Sequence, residues 1–192
     1  LVYETNGFER RGTCTHYLCR QAPLNTPVVP VYIQSGNEFA LPEADDIPIV
    51  MIGPGTGVAP YRAFMQEREA RGAGGAHWLF FGEWHRATEF FYQDYWERLA
   101  CKGRLRIDTA FSRDQEHKIY VQHKLEENGR ELFALMEEGA VFYVCGDAHR
   151  MAKDVDAALH RIIERHGQRD EKGAKEYMKA LRAQKRYLRD VY

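Results

Sequence analysis

The turn Gly53-Pro54-Gly55-Thr56-Gly57 is the first place where residue types and spacing indicate chemistry. It follows the apolar run IPIVMIG and precedes the helical pattern YRAFMQERE, so it joins a buried strand to a helix. Glycines at such a turn let backbone N–H groups approach a phosphate, which the helix dipole also favours. The turn matches neither GxGxxG nor a P-loop, and a tight turn whose glycines only relieve crowding is the alternative.

A second candidate is the loop 112–122, SRDQEHKIYVQ, which follows the predicted strand LRIDTAFS. Arg113 can grip a phosphate through two N–H donors, and Lys118 can act as a point charge. Tyr120 can present its ring to an adenine, and Ser112 and Gln122 add a hydroxyl and an amide. These groups suit an adenosine with a 2′-phosphate, which distinguishes NADPH from NADH; a solvated charged loop is the alternative.

Two single residues follow other predicted strands. Glu83 could accept a hydrogen bond from a ribose hydroxyl and favour NADH, but it lies about thirty residues after the glycine turn, beyond the usual spacing. We therefore interpret Glu83 as a loop residue. Cys145 ends the run AVFYVC and could meet a cofactor ring, although a buried cysteine is more often a small apolar core residue.

The elements that must position these residues alternate along the chain after Pro48. Strands are predicted at IPIVMIG, HWLFFG, LRIDTAFS and AVFYVCGD, and amphipathic helices follow each of them. This order predicts an α/β fold, a Rossmann-like parallel sheet with helices on both faces. The β-like runs LVYE and VPVYIQ and several prolines precede it. We expect two parts, 1–45 and 46–192.

Composition restricts the function classes. Hydrophobic residues make up 44% and charged residues 29%, and the net charge of -1 gives no reason to expect nucleic acid or a membrane surface as partner. No apolar run has the length to span a bilayer. The four cysteines form no CxxC pair and the eight histidines no HExxH pattern, so no metal site is expected. We expect a cytoplasmic protein with reduced thiols.

Four stretches together resemble a known family: MIGPGTGVAPYRAFMQER, SRDQEHKIYVQ, YVCGDAHRMAKDV and RYLRDVY. They are similar to the diflavin reductases of the ferredoxin–NADP reductase family, over essentially the whole chain. The resemblance implies an NADP(H)-binding domain, residues 46–192, preceded by a β-rich remnant of an FAD-binding domain, residues 1–45. FMN belongs to a separate domain in that family. The ending RDVY is most similar to the branch that serves a sulfite-reducing haemoprotein, and the microsomal cytochrome reductase is the nearest alternative.

The resemblance also implies roles at matching positions. It gives the NADP diphosphate to the glycine turn, the 2′-phosphate and adenine to the loop 112–122, and the FAD pyrophosphate to residues 12–15. It implies that Cys145 and Asp190 lie beside the nicotinamide and that Tyr192 stacks on the flavin. These three are therefore the predicted catalytic residues. The predicted cofactor-binding residues are Gly12, Thr13, Cys14, Thr15, Gly55, Thr56, Gly57, Ser112, Arg113, Lys118, Tyr120, Gln122, Asp147, Asp154 and Tyr192.

The activity implied is hydride transfer from NADPH to FAD, followed by electron transfer through FMN to a metalloprotein, a haem/iron–sulfur sulfite reductase subunit. The alternatives are a cytochrome-reductase-type domain and a non-catalytic NADP-binding or docking module. The family's arginine- and serine-containing flavin motif does not occur in this sequence. Trp84 and His85 stand where some relatives have arginines. We therefore expect the chain by itself to be inactive.

Overall fold

A computed structural model describes residues 2–32 and 38–192. The chain divides into two compact units, Leu1–Asn37 and Glu38–Tyr192. Of the predicted run VPVYIQ, residues 29–32 are not in a strand, and its last two residues lie outside the described part of the chain. Prolines at positions 27 and 30 withhold two backbone donors there, which disfavours strand pairing.

The first unit begins with a β-hairpin. Strand β1 (Val2–Thr5) pairs antiparallel with β2 (Phe8–Arg11). The turn residues Asn6 and Gly7 both have positive φ, 53° and 74°, as a two-residue hairpin requires. Helix α1 (Thr13–His16) follows and continues into a π-helical turn that ends at residue 21. No residue between 2 and 32 is buried, so the described part of this unit holds no core of its own.

The second unit is built on a five-stranded parallel sheet, which confirms the predicted architecture. Its strand order is β5-β4-β3-β6-β7, with every neighbouring pair parallel. The order runs outward in both directions from the β3–β6 pair, where open α/β sheets form a crevice at the strands' carboxyl ends. The strands are β3 (Ile49–Ile52), β4 (His77–Glu83), β5 (Arg106–Phe111), β6 (Val141–Gly146) and β7 (Tyr187–Val191).

Helices cover both faces of this sheet. They are α2 (Ala59–Arg71), α3 (Arg86–Glu89), α4 (Gln93–Cys101), α5 (Val121–Glu127), α6 (Gly129–Glu137), α7 (Met151–His166) and α8 (Glu171–Ala183). In β3, Ile49 and Met51 pack with α2 and α4, whereas Val50 and Ile52 pack with α5 to α8. Because both faces are covered, the strand reads as a continuous apolar run. Within the described ranges, no helix is both long and apolar enough to cross a membrane.

Two elements differ from the sequence prediction. The single amphipathic helix predicted after the strand HWLFFG is replaced by two helices, α3 and α4, because the chain turns between them at Tyr92, whose φ is 60°. The terminal residues form the fifth strand, β7, which the sequence did not predict. This strand lies at the edge of the sheet and carries the exposed Arg189 and Asp190, so it lacks the apolar run of a central strand.

The second unit also includes residues that precede its first strand. Phe39 stacks on Phe64 at 5.6 Å between ring centroids and meets Tyr143 edge-on at 5.2 Å. The Tyr143 hydroxyl donates a hydrogen bond to the Ala40 carbonyl at 2.7 Å. Residues 38–45 therefore belong to the same compact unit as the sheet. The sequence prediction assigned them to the first part, 1–45.

Candidate functional site

A cleft of about 460 Å³ opens at the carboxyl edge of the sheet. Parallel strands place their carboxyl ends at the same edge, so the turns after β3, β4, β5 and β6 converge there. The lining residues are Pro54, Gly55, Gly82, Glu83, Trp84, Ala110, Ser112, Arg113, Lys118, Tyr120, Val121, Gln122, Asp147, Arg150, Met151 and Asp154.

This cleft brings together residues that are far apart in the sequence. Eight of the fifteen predicted cofactor-binding residues line it: Gly55, Ser112, Arg113, Lys118, Tyr120, Gln122, Asp147 and Asp154. A single extended ligand could therefore contact the glycine turn, the loop 112–122 and the start of α7 together. The remaining predicted residues lie beside the cleft or in the first unit.

Three carboxylates, Glu83, Asp147 and Asp154, and three cations line the cleft, and the cations are the groups that could bind an anion. Arg113, Lys118 and Arg150 line it, and in the part of the chain that the structure describes none of them forms an ion pair. The carboxylate of Asp147 accepts hydrogen bonds from the backbone N–H groups of Arg150 at 2.7 Å and Met151 at 3.1 Å. These N–H groups hold the pKa of Asp147 below its ordinary value and partly offset its charge.

The glycine turn packs closely against the end of β6. A 3₁₀ turn, Gly55–Val58, leads from β3 into α2. Gly55 has a φ of 58°, in the left-handed region that favours glycine. A Cβ at Gly57 would collide with the carbonyl group of Cys145. Crowding therefore requires glycine at 57, while Gly55 also borders the cleft.

The loop after β5 continues to pair with the loop after β4. The N–H of Ser112 donates to the Glu83 carbonyl at 2.8 Å, and the N–H of Arg113 donates to the Trp84 carbonyl at 2.9 Å. The Ser112 hydroxyl, almost fully buried, also donates to the Glu83 carbonyl, at 3.3 Å. The guanidinium of Arg113 lies over the indole of Trp84, 3.7 Å from the ring centroid. Both loops are thus fixed to each other at the cleft.

The start of α5 supplies an exposed aromatic ring and an amide. The N–H of Tyr120 donates to His123 Nδ1 at 3.1 Å, which fixes the first turn of the helix. The ring of Tyr120 is 41% exposed where it borders the cleft. The Gln122 amide donates to the Asp154 carboxylate at 3.4 Å, across to α7. An adenine could therefore reach the Tyr120 ring face without rearrangement of the helix.

The three predicted catalytic residues meet at the carboxyl end of β6 and β7, outside the cleft lining. Cys145 and Asp190 are direct partners in the pairing of these strands. The Cys145 thiol is buried, and burial, followed by the nearby Asp190 carboxylate, raises its pKa to about 11. Tyr192 donates its N–H to the Gly146 carbonyl at 3.1 Å and is 66% exposed. Its hydroxyl shares a hydrogen bond with Thr56 Oγ1, 2.9 Å away.

The predicted pyrophosphate segment, residues 12–15, lies at the start of α1 in the first unit. Gly12 is the N-cap in an extended conformation, and its carbonyl accepts the His16 N–H at 2.8 Å and the Thr15 hydroxyl at 3.3 Å. No side-chain hydrogen bond caps this helix.

Three of the lining residues that were not predicted to bind the cofactor carry charged or aromatic side chains: Glu83, Trp84 and Arg150. Glu83 was interpreted as a loop residue, but its carboxylate borders the glycine turn: a Cβ at Gly55 would lie 2.9 Å from Glu83 Oε2. Arg150 is a cation directly before α7 and three residues after Asp147, a spacing that could have indicated it. The stacking of Trp84 on Arg113 left no signal in the sequence.

A comparison with protein families identifies the second unit. The family model of the oxidoreductase NAD-binding domain matches residues 51–157, which include the glycine turn, the loop 112–122 and the start of α7. The chain belongs to this family. The match confirms the predicted nicotinamide-nucleotide oxidoreductase domain, and the parallel sheet of this NAD-binding domain confirms the Rossmann-like fold.

Curated relatives of the NAD-binding domain are similar over the whole chain. The sulfite reductase (NADPH) flavoprotein alpha-component of Cronobacter sakazakii is 50% identical over 99% of the chain and 32% of its own length. The proteins of the same name from Bacillus subtilis and Vibrio cholerae are 47% and 48% identical, over 99% and 100% of the chain and 31% of their own lengths. The chain thus spans about a third of the length of these relatives.

Proposed function

We propose that this chain is the NADP(H)-binding part of a flavoprotein reductase that passes hydride from NADPH to FAD and electrons through FMN to a haem/iron–sulfur sulfite reductase subunit. The observation that carries the proposal is the cleft at the carboxyl edge of the sheet, which is lined by three cations without an ion pair among the described residues and by the exposed rings of Trp84 and Tyr120. The names of the relatives support the sulfite-reducing acceptor over the cytochrome-type alternative.

In this proposal the cleft holds the adenosine and phosphate parts of NADPH. The diphosphate lies on the turn formed by Gly55, Thr56 and Gly57. The 2′-phosphate lies on Arg113 and Lys118, with Ser112 at its side, and the adenine lies on Tyr120, next to Gln122 and Asp154. The cleft volume of about 460 Å³ is typical of a site for a ligand of this class. Arg113 supplies paired in-plane donors, and Lys118 supplies a point charge.

In this proposal the reacting rings would lie against the residues at the carboxyl ends of β6 and β7. The bound flavin supplies the redox chemistry, and the protein supplies binding and orientation. Asp190 is exposed there, and Cys145 beside it holds a neutral thiol because its pKa is raised. Tyr192 presents an exposed aromatic face that could cover an apolar ring. These positions support a role for the three residues in orienting the nicotinamide and the flavin.

We assign the first unit to the FAD side of the protein. Residues 12–15 present backbone N–H groups at the start of α1, a geometry that suits a pyrophosphate. The exposed apolar side chains of this unit, Val2, Phe8 and Leu18 among them, suit a surface completed by further chain of an FAD-binding domain. The chain alone is therefore expected to bind nucleotide without catalysing turnover.

The proposal is tested by calorimetric titration of the chain with NADP⁺ and, separately, with NAD⁺. We expect a preference for NADP⁺ of at least about tenfold, equivalent to about 1.4 kcal/mol. Arg113→Ala should lose most of this preference and leave NAD⁺ affinity within about twofold, because NAD⁺ lacks the 2′-phosphate. Arg161→Ala is the matched control, since Arg161 is exposed and paired with Glu126 outside the cleft. Equal affinity of the parent chain for both nucleotides would overturn the proposal.

A further inference from the structure

Trp84 is the only exposed tryptophan of the chain. Of its three tryptophans, Trp78 and Trp96 are buried, whereas Trp84 is 52% exposed and lines the cleft. An exposed indole buries little apolar area, so the hydrophobic effect alone fixes its conformation only weakly. A cation contacts this indole: the guanidinium carbon of Arg113 lies 3.7 Å from the centroid of the ring. The separation corresponds to direct stacking within the range of a cation–π interaction.

Backbone hydrogen bonds fix this pair independently of the stacking. Arg113 donates its N–H to the Trp84 carbonyl at 2.9 Å. One residue further along each loop, the Asp114 carboxylate accepts the Arg86 N–H at 3.0 Å and lies 3.0 Å from His85 Nδ1. The loops after β4 and β5 are therefore joined on both sides of the stacked pair. The backbones of Trp84 and Arg113 are thus held in place by the fold itself.

The stacking leaves Arg113 available to an anion. A carboxylate partner would occupy the N–H edge of the guanidinium and cancel its charge, and none pairs with it among the described residues. An indole covers only one face of the planar group and leaves its in-plane N–H donors free. It also restricts the side-chain rotamers, so less conformational entropy is lost when a phosphate binds.

We propose that Trp84 is a positioning residue that sets the preference for a 2′-phosphorylated nucleotide by holding the guanidinium of Arg113 toward the cleft. The inference rests on the proposed function, because it deepens the role assigned there to Arg113. Trp84 contacts the arginine and not the phosphate, so it acts on NADP⁺ and has no corresponding effect on NAD⁺.

The test compares Trp84→Ala and Trp84→Phe with the parent chain in calorimetric titrations of NADP⁺, NAD⁺ and 2′-AMP. For Trp84→Ala we expect the affinities for NADP⁺ and 2′-AMP to fall about three- to tenfold, the range of one partly exposed cation–π contact. The affinity for NAD⁺ should stay within about twofold. Trp84→Phe keeps an aromatic face, so its NADP⁺/NAD⁺ affinity ratio should lie between that of the parent chain and that of Trp84→Ala. If Trp84→Ala does not fold, Trp84→Phe and the emission test below still decide.

A double-mutant cycle separates positioning from direct contact. If Trp84 acts through Arg113, Trp84→Ala has no further effect on NADP⁺ affinity in the Arg113→Ala background. In the parent chain, 2′-AMP should change the emission of the exposed Trp84, and this change should be absent in Arg113→Ala.

The outcomes distinguish the inference from the proposed function. If the parent chain has no preference for NADP⁺ over NAD⁺, the proposed function is wrong. If the parent chain has this preference and Trp84→Ala keeps the same NADP⁺/NAD⁺ affinity ratio, only the positioning role is wrong. Equal losses for both nucleotides in Trp84→Ala, or full additivity with Arg113→Ala, also overturn it, because Trp84 would then contact the shared part of the ligand or support the fold.

Discussion

The hydroxyl groups of Thr56 and Tyr192 lie 2.9 Å apart and share a hydrogen bond that joins the glycine turn to the last residue of the chain. Tyr192 is also held by its backbone: its N–H donates to the Gly146 carbonyl at 3.1 Å, and its carbonyl accepts the Ala148 N–H at 3.0 Å. The Thr56 hydroxyl, which the proposed function assigns to the diphosphate, is thus already paired with the Tyr192 hydroxyl.

We therefore expect Tyr192→Phe and Thr56→Val to change NADP⁺ affinity in opposite directions. Tyr192→Phe removes the competing hydroxyl and should raise the affinity about two- to twelvefold, since one exposed hydrogen bond contributes about 0.5–1.5 kcal/mol. Thr56→Val removes the group that the diphosphate needs and should lower it. Titration of both variants with NADP⁺ measures the effect. A decrease in Tyr192→Phe would show that the tyrosine hydroxyl supports binding and does not compete with it.

The carboxylate of Glu83 borders the glycine turn and accepts the Trp84 N–H at 3.1 Å. A negative charge there opposes a bound diphosphate, by about 1 kcal/mol or less at this exposure. Glu83→Gln should raise the affinities for NADP⁺ and NAD⁺ by the same factor, a few-fold, because both carry the diphosphate. The gain should shrink in 0.5 M salt, where the Debye length is only about 4 Å.

Glu131→Gln is the control for this variant, because Glu131 pairs with Arg106 outside the cleft. It removes the same charge and should leave both affinities unchanged. The alternative role for Glu83, as acceptor of a ribose hydroxyl, predicts that Glu83→Gln lowers the affinity for NAD⁺. A selective loss of NAD⁺ affinity in Glu83→Gln would support that role and contradict the repulsion.

The four cysteines should divide into three reactive thiols and one protected thiol. Cys14, Cys19 and Cys101 are exposed, and Cys145 is buried. Because burial raises the pKa of Cys145 to about 11, its thiolate form is scarce at pH 8 and increases only as the pH approaches 11. A disulfide reagent at pH 8 should label three thiols quickly and the fourth only on unfolding. The Cys145→Ser variant should lack only the slowly labelled thiol. If it lacks a rapidly labelled thiol instead, Cys145 is not buried.

The sequence could predict the sheet and the convergence of the loops, but not the contacts within the cleft. Central strands such as β3 are covered on both faces, so they consist of consecutive apolar residues that the sequence shows directly. Parallel pairing then places their carboxyl ends together. The edge strand β7 was not predicted, because its exposed charged residues interrupt the apolar pattern. The stacking of Trp84 on Arg113 depends on the register that pairs Glu83 with Phe111, which no local pattern specifies.

His77 links the stability of the fold to pH. It begins β4 at the edge of the sheet opposite the cleft, where Arg68 Nε donates to its Nε2 at 2.9 Å. Its Nδ1 therefore carries the proton and donates to the Arg104 carbonyl at 3.0 Å. Burial, and then the charge of Arg68, lower the pKa of His77 from 6.5 to about 4. The folded chain consequently requires the neutral imidazole.

Between pH 6.5 and 4 the unfolded chain binds the His77 proton more readily than the folded chain does, so protonation favours unfolding in this window. The contribution of His77 to stability should be complete above pH 6.5 and should decline as the pH falls to 4, by at most about 1.4 kcal/mol per pH unit. Urea unfolding of the parent and His77→Gln from pH 8 to 4 measures this. The parent should lose more stability than the variant below pH 6.5; parallel curves over that range would mean that His77 keeps its ordinary pKa in the fold.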